Sequence, residues 1–190
     1  MDHEAPRSRR APSESDPFRS LEGSDEDRST AGPSVVARGP RVGRLVIGVG
    51  NPFRGDDGAG RAVARLLGSS SDCGLVVREC AGEATSLLSL WADFDDVVVV
   101  DACRGAGPPG SVHRFGPDDV DGVTKLEHAS THSLGVAAAI GLARALGTLP
   151  SRLVIYAIEA RDSRESEGLS PEVDHGVRQV MALVMQGSQG

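Results

Sequence analysis

Apolar positions along this chain come in two forms that alternate: short unbroken runs, and longer stretches with helical spacing. The first run, Leu45-Val46-Ile47-Gly48-Val49-Gly50, is unbroken and closes on glycine, which predicts a buried parallel strand. Gly58–Leu67 follows with Ala59, Val63, Leu66 and Leu67 at helical spacing. Leu75–Val77 predicts a second strand. Ala84–Trp91 predicts a second helix with Leu87, Leu88 and Leu90 facing inward. Val97–Val100 is the clearest strand, because β-branched side chains suit a pleated surface and lose rotamer freedom in a helix. Pro108-Pro109-Gly110 marks a turn, and Ser111–Phe115 an antiparallel edge strand. Thr131–Leu146 reads as a long apolar helix, stopped by Gly147 and Pro150. Leu153–Ile158 is another buried strand. Ser170-Pro171-Glu172 opens the last helix with a serine N-cap, a proline at the first helical position and an acid at the positive dipole end. Strands alternating with helices predict an α/β fold: a three-layer αβα sandwich around a mostly parallel, twisted sheet of about five strands.

Residues 1–41 stand outside this pattern. They hold five of the 11 prolines, many serines, eight acids and seven basic residues, with few apolar positions and no period. Such a segment buries too little surface to offset the entropy of ordering, so it is expected to be a disordered tail before a single domain at 42–190. A start codon later than Met1 is the alternative for this region.

Charge and composition narrow the function. The formal charge is 20 − 27 = −7, which lacks the basic footprint of a nucleic-acid binder, and aromatics are only 3%, too few for base-stacking platforms. No apolar run approaches the roughly 18 residues of a membrane span, and no apolar stretch follows the N-terminal charges as in a secretory signal. Cys73, Cys80 and Cys103 are an odd count without a C-x-x-C pair. That argues against a zinc ribbon or a disulfide framework and suits the cytoplasm.

In open α/β sheets, ligands bind outside the carboxyl ends of the strands. The segments expected there are Gly48–Gly58 after the first strand, Asp101-Ala102-Cys103 at the end of the Val97 strand, and His128-Ala129-Ser130-Thr131-His132 entering the long helix. A dinucleotide site is a poor reading of the glycine loop, since the third glycine of G-x-G-x-x-G falls at Phe53. Asp56 and Asp57 would also repel a phosphate from the helix N-terminus. One of these acids suffices as a helix cap; Asp56 is the better candidate for that role, which leaves Asp57 for chemistry. Asp101 suits either a loop cap or a ligand, and His132 either a packed histidine or a ligand. Together, Asp57, Asp101 and His132 form an oxygen- and nitrogen-rich set suited to a divalent transition metal such as nickel or zinc. H-A-S-T-H lacks the glutamate of H-E-x-x-H, and no G-x-S-x-G elbow or P-loop is present. Cys103 lies beside Asp101, a poor setting for a reactive thiolate, and reads as structural.

I-G-V-G-N-P-F-R-G-D-D-G-A-G (47–60), V-V-V-V-D-A (97–102), P-G-S-V-H-R-F (109–115), S-T-H-S-L-G (130–135) and G-L-S-P-E-V (168–173) together resemble the hydrogenase maturation proteases. The likeness runs in order from about Leu45 to about Met185. It implies a nickel-dependent, aspartic-type endopeptidase that removes the C-terminal extension of a [NiFe]-hydrogenase large-subunit precursor after nickel insertion. The family's metal-contacting positions fall on Asp57, Asp101 and His132, the positions also reached from strand ends. Glu79 is a further acidic position of interest. The resemblance implies nickel presented by the precursor, with no tightly bound metal in the free enzyme. It also implies a transient partner, no nucleic acid or membrane, and a monomer. The family's I-x-P-like segment reads Ile158-Glu159-Ala160-Arg161-Asp162 here, a departure that bears on partner choice. Two other readings remain at this point: a non-proteolytic, nickel-dependent docking or chaperone-like protein for a maturing metalloenzyme, and a nucleotide-binding module.

Overall fold

The computed structural model describes residues 43–70, 74–119, 133–161 and 168–187. The expected tail at 1–41, Cys73, His128 and His132 lie outside the described residues. Among the described residues, five strands, β1 (Arg44–Val49), β2 (Leu75–Cys80), β3 (Asp96–Cys103), β4 (Val112–Phe115) and β5 (Arg152–Glu159), are interleaved with four α-helices, α1 (Ala59–Ser69), α2 (Ala84–Trp91), α3 (Ser133–Ala145) and α4 (Pro171–Gln186). The strands form one sheet in the order β2-β1-β3-β5-β4. All neighbours are parallel except β4, which runs antiparallel on the outside of β5 as its sequence predicts.

Both faces of the sheet are covered, so its central strands are apolar throughout rather than alternating. Leu45, Ile47, Val97, Val99 and Ile155 pack with Leu87, Trp91, Val136 and Ile140 of α2 and α3. Val46, Val98, Val100 and Ile158 pack with Val63, Leu67, Val173, Val177 and Val180 of α1 and α4. Helix α1 lies unusually close to the sheet: a Cβ on Gly60 would collide with the carbonyl oxygens of Val49 and Val100. From β1 the chain passes through α1 to β2 on one side, then through α2 to β3 on the other. The strand order therefore reverses between β1 and β3, and in open α/β sheets the crevice outside such a switch point is where ligands bind.

Three details differ from the sequence-based expectations. Strand β2 continues past Val77 through Arg78, Glu79 and Cys80, because β1 supplies Ile47, Gly48 and Val49 as ladder partners. Its outer position leaves Arg78 and Glu79 exposed. Asp101 does not end its strand: β3 runs two residues further, paired with the equally long β5 through Cys103 opposite Glu159. Ser170 occupies the N-cap position of α4, but its hydroxyl makes no capping bond and turns instead to Asp56.

Candidate active site

Four charged side chains are buried among the described residues, and all four are acids: Asp56, Asp57, Asp101 and Glu159. Each belongs to a carboxyl strand end or to the segment that leaves it. Removing a carboxylate from water is costly without compensating contacts, so each of these positions needs a physical reason.

Asp56 is a structural tie. Its carboxylate accepts hydrogen bonds from the Arg161 N–H (3.0 Å), the Ser170 N–H (2.7 Å) and the Ser170 hydroxyl (3.0 Å). It thereby fastens the loop after β1 to the segment after β5 and to the start of α4. Helix capping by Asp56, expected from sequence, does not occur. A short 3-10 turn, Gly55–Gly58, precedes α1, and neither N-terminus has a side-chain cap. The main-chain N–H groups of Arg161 and Ser170, remote in sequence, take the carboxylate instead.

Asp57 is held differently. Its Oδ2 accepts from the Asn51 N–H at 3.1 Å, and the Asn51 side chain in turn accepts from the Phe53 N–H at 3.0 Å. The loop can fold back this tightly because Gly50 adopts φ 125°, and a Cβ there would strike the Asp57 carbonyl oxygen. The 3-10 turn carrying Asp57 packs against β3. Asp101, on β3, accepts a 2.8 Å hydrogen bond from the N–H of Ala102. Strand alternation sets it on the face shared by Val97 and Val99, toward the α2–α3 layer. Asp57 and Asp101 thus flank the β1/β3 crevice.

Helix α3 starts at the same edge of the sheet. Gly135, in its first turn, lies so close to Gly82, in the loop after β2, that a Cβ would collide with the Gly82 carbonyl oxygen. His132, the third expected site residue, lies outside the described residues. Glu79 is turned to α1, where it pairs with Arg65 (3.0 Å) and Arg61 (3.7 Å). It is on the opposite face from Asp101.

Sequence reasoning missed Glu159 as a structural centre. One oxygen accepts from the Gly105 N–H (2.6 Å) and the other from the Ala106 N–H (3.0 Å) and the Cys103 thiol (3.4 Å). Burial, then the charge and hydrogen bond of Glu159, then the charge of Asp101, push the Cys103 thiol far above its ordinary pKa. A thiol held neutral in this way is not a nucleophile, in line with the structural reading of Cys103. The available signal was an acid closing an apolar strand, but the register that sets it opposite Cys103 is not visible in sequence.

An open cleft of about 530 Å³ lies at the carboxyl end of β2, lined by Arg61, Glu79, Cys80, Ala81, Glu83 and Ser86 among others, and by none of the four buried acids. Phe53, on the loop that carries Asp57, is 78% exposed, a large apolar side chain presented to solvent.

Residues 81–187, more than half of the chain, match the sequence profile of the hydrogenase maturation proteases of the HycI type. The chain belongs to the hydrogenase maturation protease family. Members of that family are peptidases, and the fold agrees. The [NiFe] hydrogenase maturation protease HybD from Thermococcus kodakarensis superposes with a TM-score of 0.65 at 25% identity, covering 77% of this chain and 99% of that one. A hydrogenase 2 maturation peptidase from a Thaumarchaeota archaeon gives 0.57 at 28% identity, covering 77% and 97%. The hydrogenase expression/formation protein HupD of Thiocapsa roseopersicina is 25% identical over 147 residues, which span 75% of this chain and 66% of HupD's length. No helix of this maturation-protease chain, among the described residues, is long and apolar enough to cross a membrane.

Proposed function

We propose that this chain is the endopeptidase that removes the C-terminal extension of a [NiFe]-hydrogenase large-subunit precursor, and that it acts once nickel has been inserted into that precursor. The observation that carries this reading is the placement of Asp57 and Asp101, both buried, on either side of the β1/β3 crevice of a family member's fold. Asp57, Asp101 and His132 are the residues assigned to meet the precursor's metal centre. Nickel is part of the substrate here, held by the precursor's own cysteines. Two carboxylates and an imidazole bind such an ion modestly by themselves, so the precursor's ligands complete the set and only a loaded precursor is retained. Recognition and timing then become one event.

Peptide hydrolysis needs a water deprotonated as it attacks the scissile carbonyl and a proton delivered to the leaving amine. A carboxylate at the crevice can perform both transfers in turn. The substrate's ion supplies Lewis acidity. The exposed Phe53 gives the loop bearing Asp57 an apolar contact for a protein partner, as hot-spot aromatics do. The enzyme is assigned to the cytoplasm as a monomer that meets its precursor transiently.

The test compares wild type with Asp57→Asn, Asp101→Asn and His132→Ala on nickel-loaded precursor, followed by mass. Loss of cleavage in the folded variants supports the assignment, and full activity in all three contradicts it. Tight binding without cleavage by the wild type would favour the non-proteolytic docking role.

A further inference from the structure

We infer that Cys103, His113 and Glu159 form a second cation site, built for a divalent transition-metal ion of the zinc or nickel class and distinct from the Asp57–Asp101–His132 set. Three strands bring it together. Cys103 of β3 lies opposite Glu159 of β5, and His113 of β4 lies opposite Ala157 of β5. Alternation then sets Cys103, His113 and Glu159 on one face, around the small Ala157. One ligand atom from each residue lies within 4.8 Å of the other two. The Cys103 sulfur and a Glu159 oxygen are already 3.4 Å apart, about the separation of two ligands on one tetrahedral zinc ion.

Two further observations point to a ligand. The Nε2 atom of His113 is buried and makes no hydrogen bond among the described residues, although a buried imidazole nitrogen ordinarily finds a partner. Glu159 Oε1 is held by the Gly105 N–H and keeps a further lone pair, while Oε2 is held by the Ala106 N–H and regains one when the Cys103 thiol loses its proton. Such contacts orient metal-ligating carboxylates in known sites. The Arg104–Gly110 segment is tied to the end of β5 by the Gly110 N–H on the Glu159 carbonyl oxygen, and the Ala160 N–H on the Cys103 carbonyl oxygen extends the β3–β5 pairing, both 2.8 Å. The donors therefore sit on rigid strands. Sulfur with imidazole selects zinc or nickel over magnesium or calcium. The cation's positive charge offsets the burial and the Glu159 and Asp101 charges that otherwise keep the Cys103 thiol neutral, so as the sulfur–metal bond forms the thiol proton leaves to solvent. Three protein ligands leave a fourth position for water or a donor from a partner.

This inference does not depend on the proposed proteolytic role. Cobalt(II) added to the full-length chain tests it, because only thiolate ligation gives an intense sulfur-to-cobalt charge-transfer band. One equivalent of cobalt should produce that band together with tetrahedral ligand-field absorption, and one equivalent of zinc should abolish both. Cys103→Ser should remove the charge-transfer band while circular dichroism shows an intact fold. His113→Gln, a milder change at a half-buried position, should weaken zinc binding by more than the roughly 10- to 100-fold that loss of an outer-shell partner costs. Asp57→Asn should leave the band unchanged. No band in the wild type, a band that survives Cys103→Ser, or one lost in Asp57→Asn would each overturn the proposal.

Discussion

The two ends of the sheet handle charge in opposite ways. At the amino end, Asp96 of β3 receives the Arg44 guanidinium through Nε at 3.0 Å and a terminal nitrogen at 2.9 Å, with Arg152 at 3.8 Å. The Asp96 side chain stays 22% exposed, and these ion pairs join the starts of β1, β3 and β5. At the carboxyl end the four acids are almost wholly buried. The groups that hold Asp56, Asp57 and Glu159 include main-chain N–H groups of loops remote from each acid in sequence or folded back on it. Charge at the amino end pins strands to one another. At the carboxyl end, loops are shaped around negative charge, and that is where a cation-bearing substrate is expected to dock.

This contrast is sharpened first by removing a carboxylate charge at the crevice. Asp101→Asn should lower the processing rate by about 10³-fold, the scale of a lost general acid–base group, while the emission of the fully buried Trp91 stays native. Next come the two acids that organise loops. Glu159→Ala and Asp56→Ala should each lower stability by about 3 kcal/mol, since each removes at least two hydrogen bonds to a charged acceptor. Urea unfolding followed by Trp91 fluorescence measures this. Phe53→Ala should raise KM for the precursor about tenfold with kcat nearly unchanged, equivalent to about 1.4 kcal/mol of partner binding. The smallest effect belongs to the amino end. Arg44→Ala should cost about 1 kcal/mol or less in urea unfolding and leave processing untouched, because a partly exposed ion pair is weak. A large loss of activity from Arg44→Ala would erase the distinction between the two ends.

Most of the elements were legible from the sequence: the β-branched run Val97–Val100 reads as a strand, and Ala84–Trp91 forms the helix its spacing predicts. Asp57 and Asp101 were legible for a related reason. Strand ends in an α/β fold are where ligands bind, so finding the strands located the acids. Register was not legible. Nothing local tells Cys103 that Glu159, 56 residues away, will be its neighbour, or Asp56 that it will accept from Ser170 rather than cap its own helix. The C-terminal end of β2 was also hidden, since Arg78 and Glu79 join the ladder through their backbone while their side chains look like loop residues.

The most direct measurement is the intact mass of the hydrogenase large-subunit precursor after incubation with this protein, with and without nickel loading, alongside Asp57→Asn. Loss of a C-terminal peptide only from the loaded precursor, and only with the wild-type protein, is the predicted result. Equal cleavage of empty and loaded precursor, or undiminished cleavage by Asp57→Asn, would contradict the claim that the acids of the carboxyl edge read the substrate's nickel.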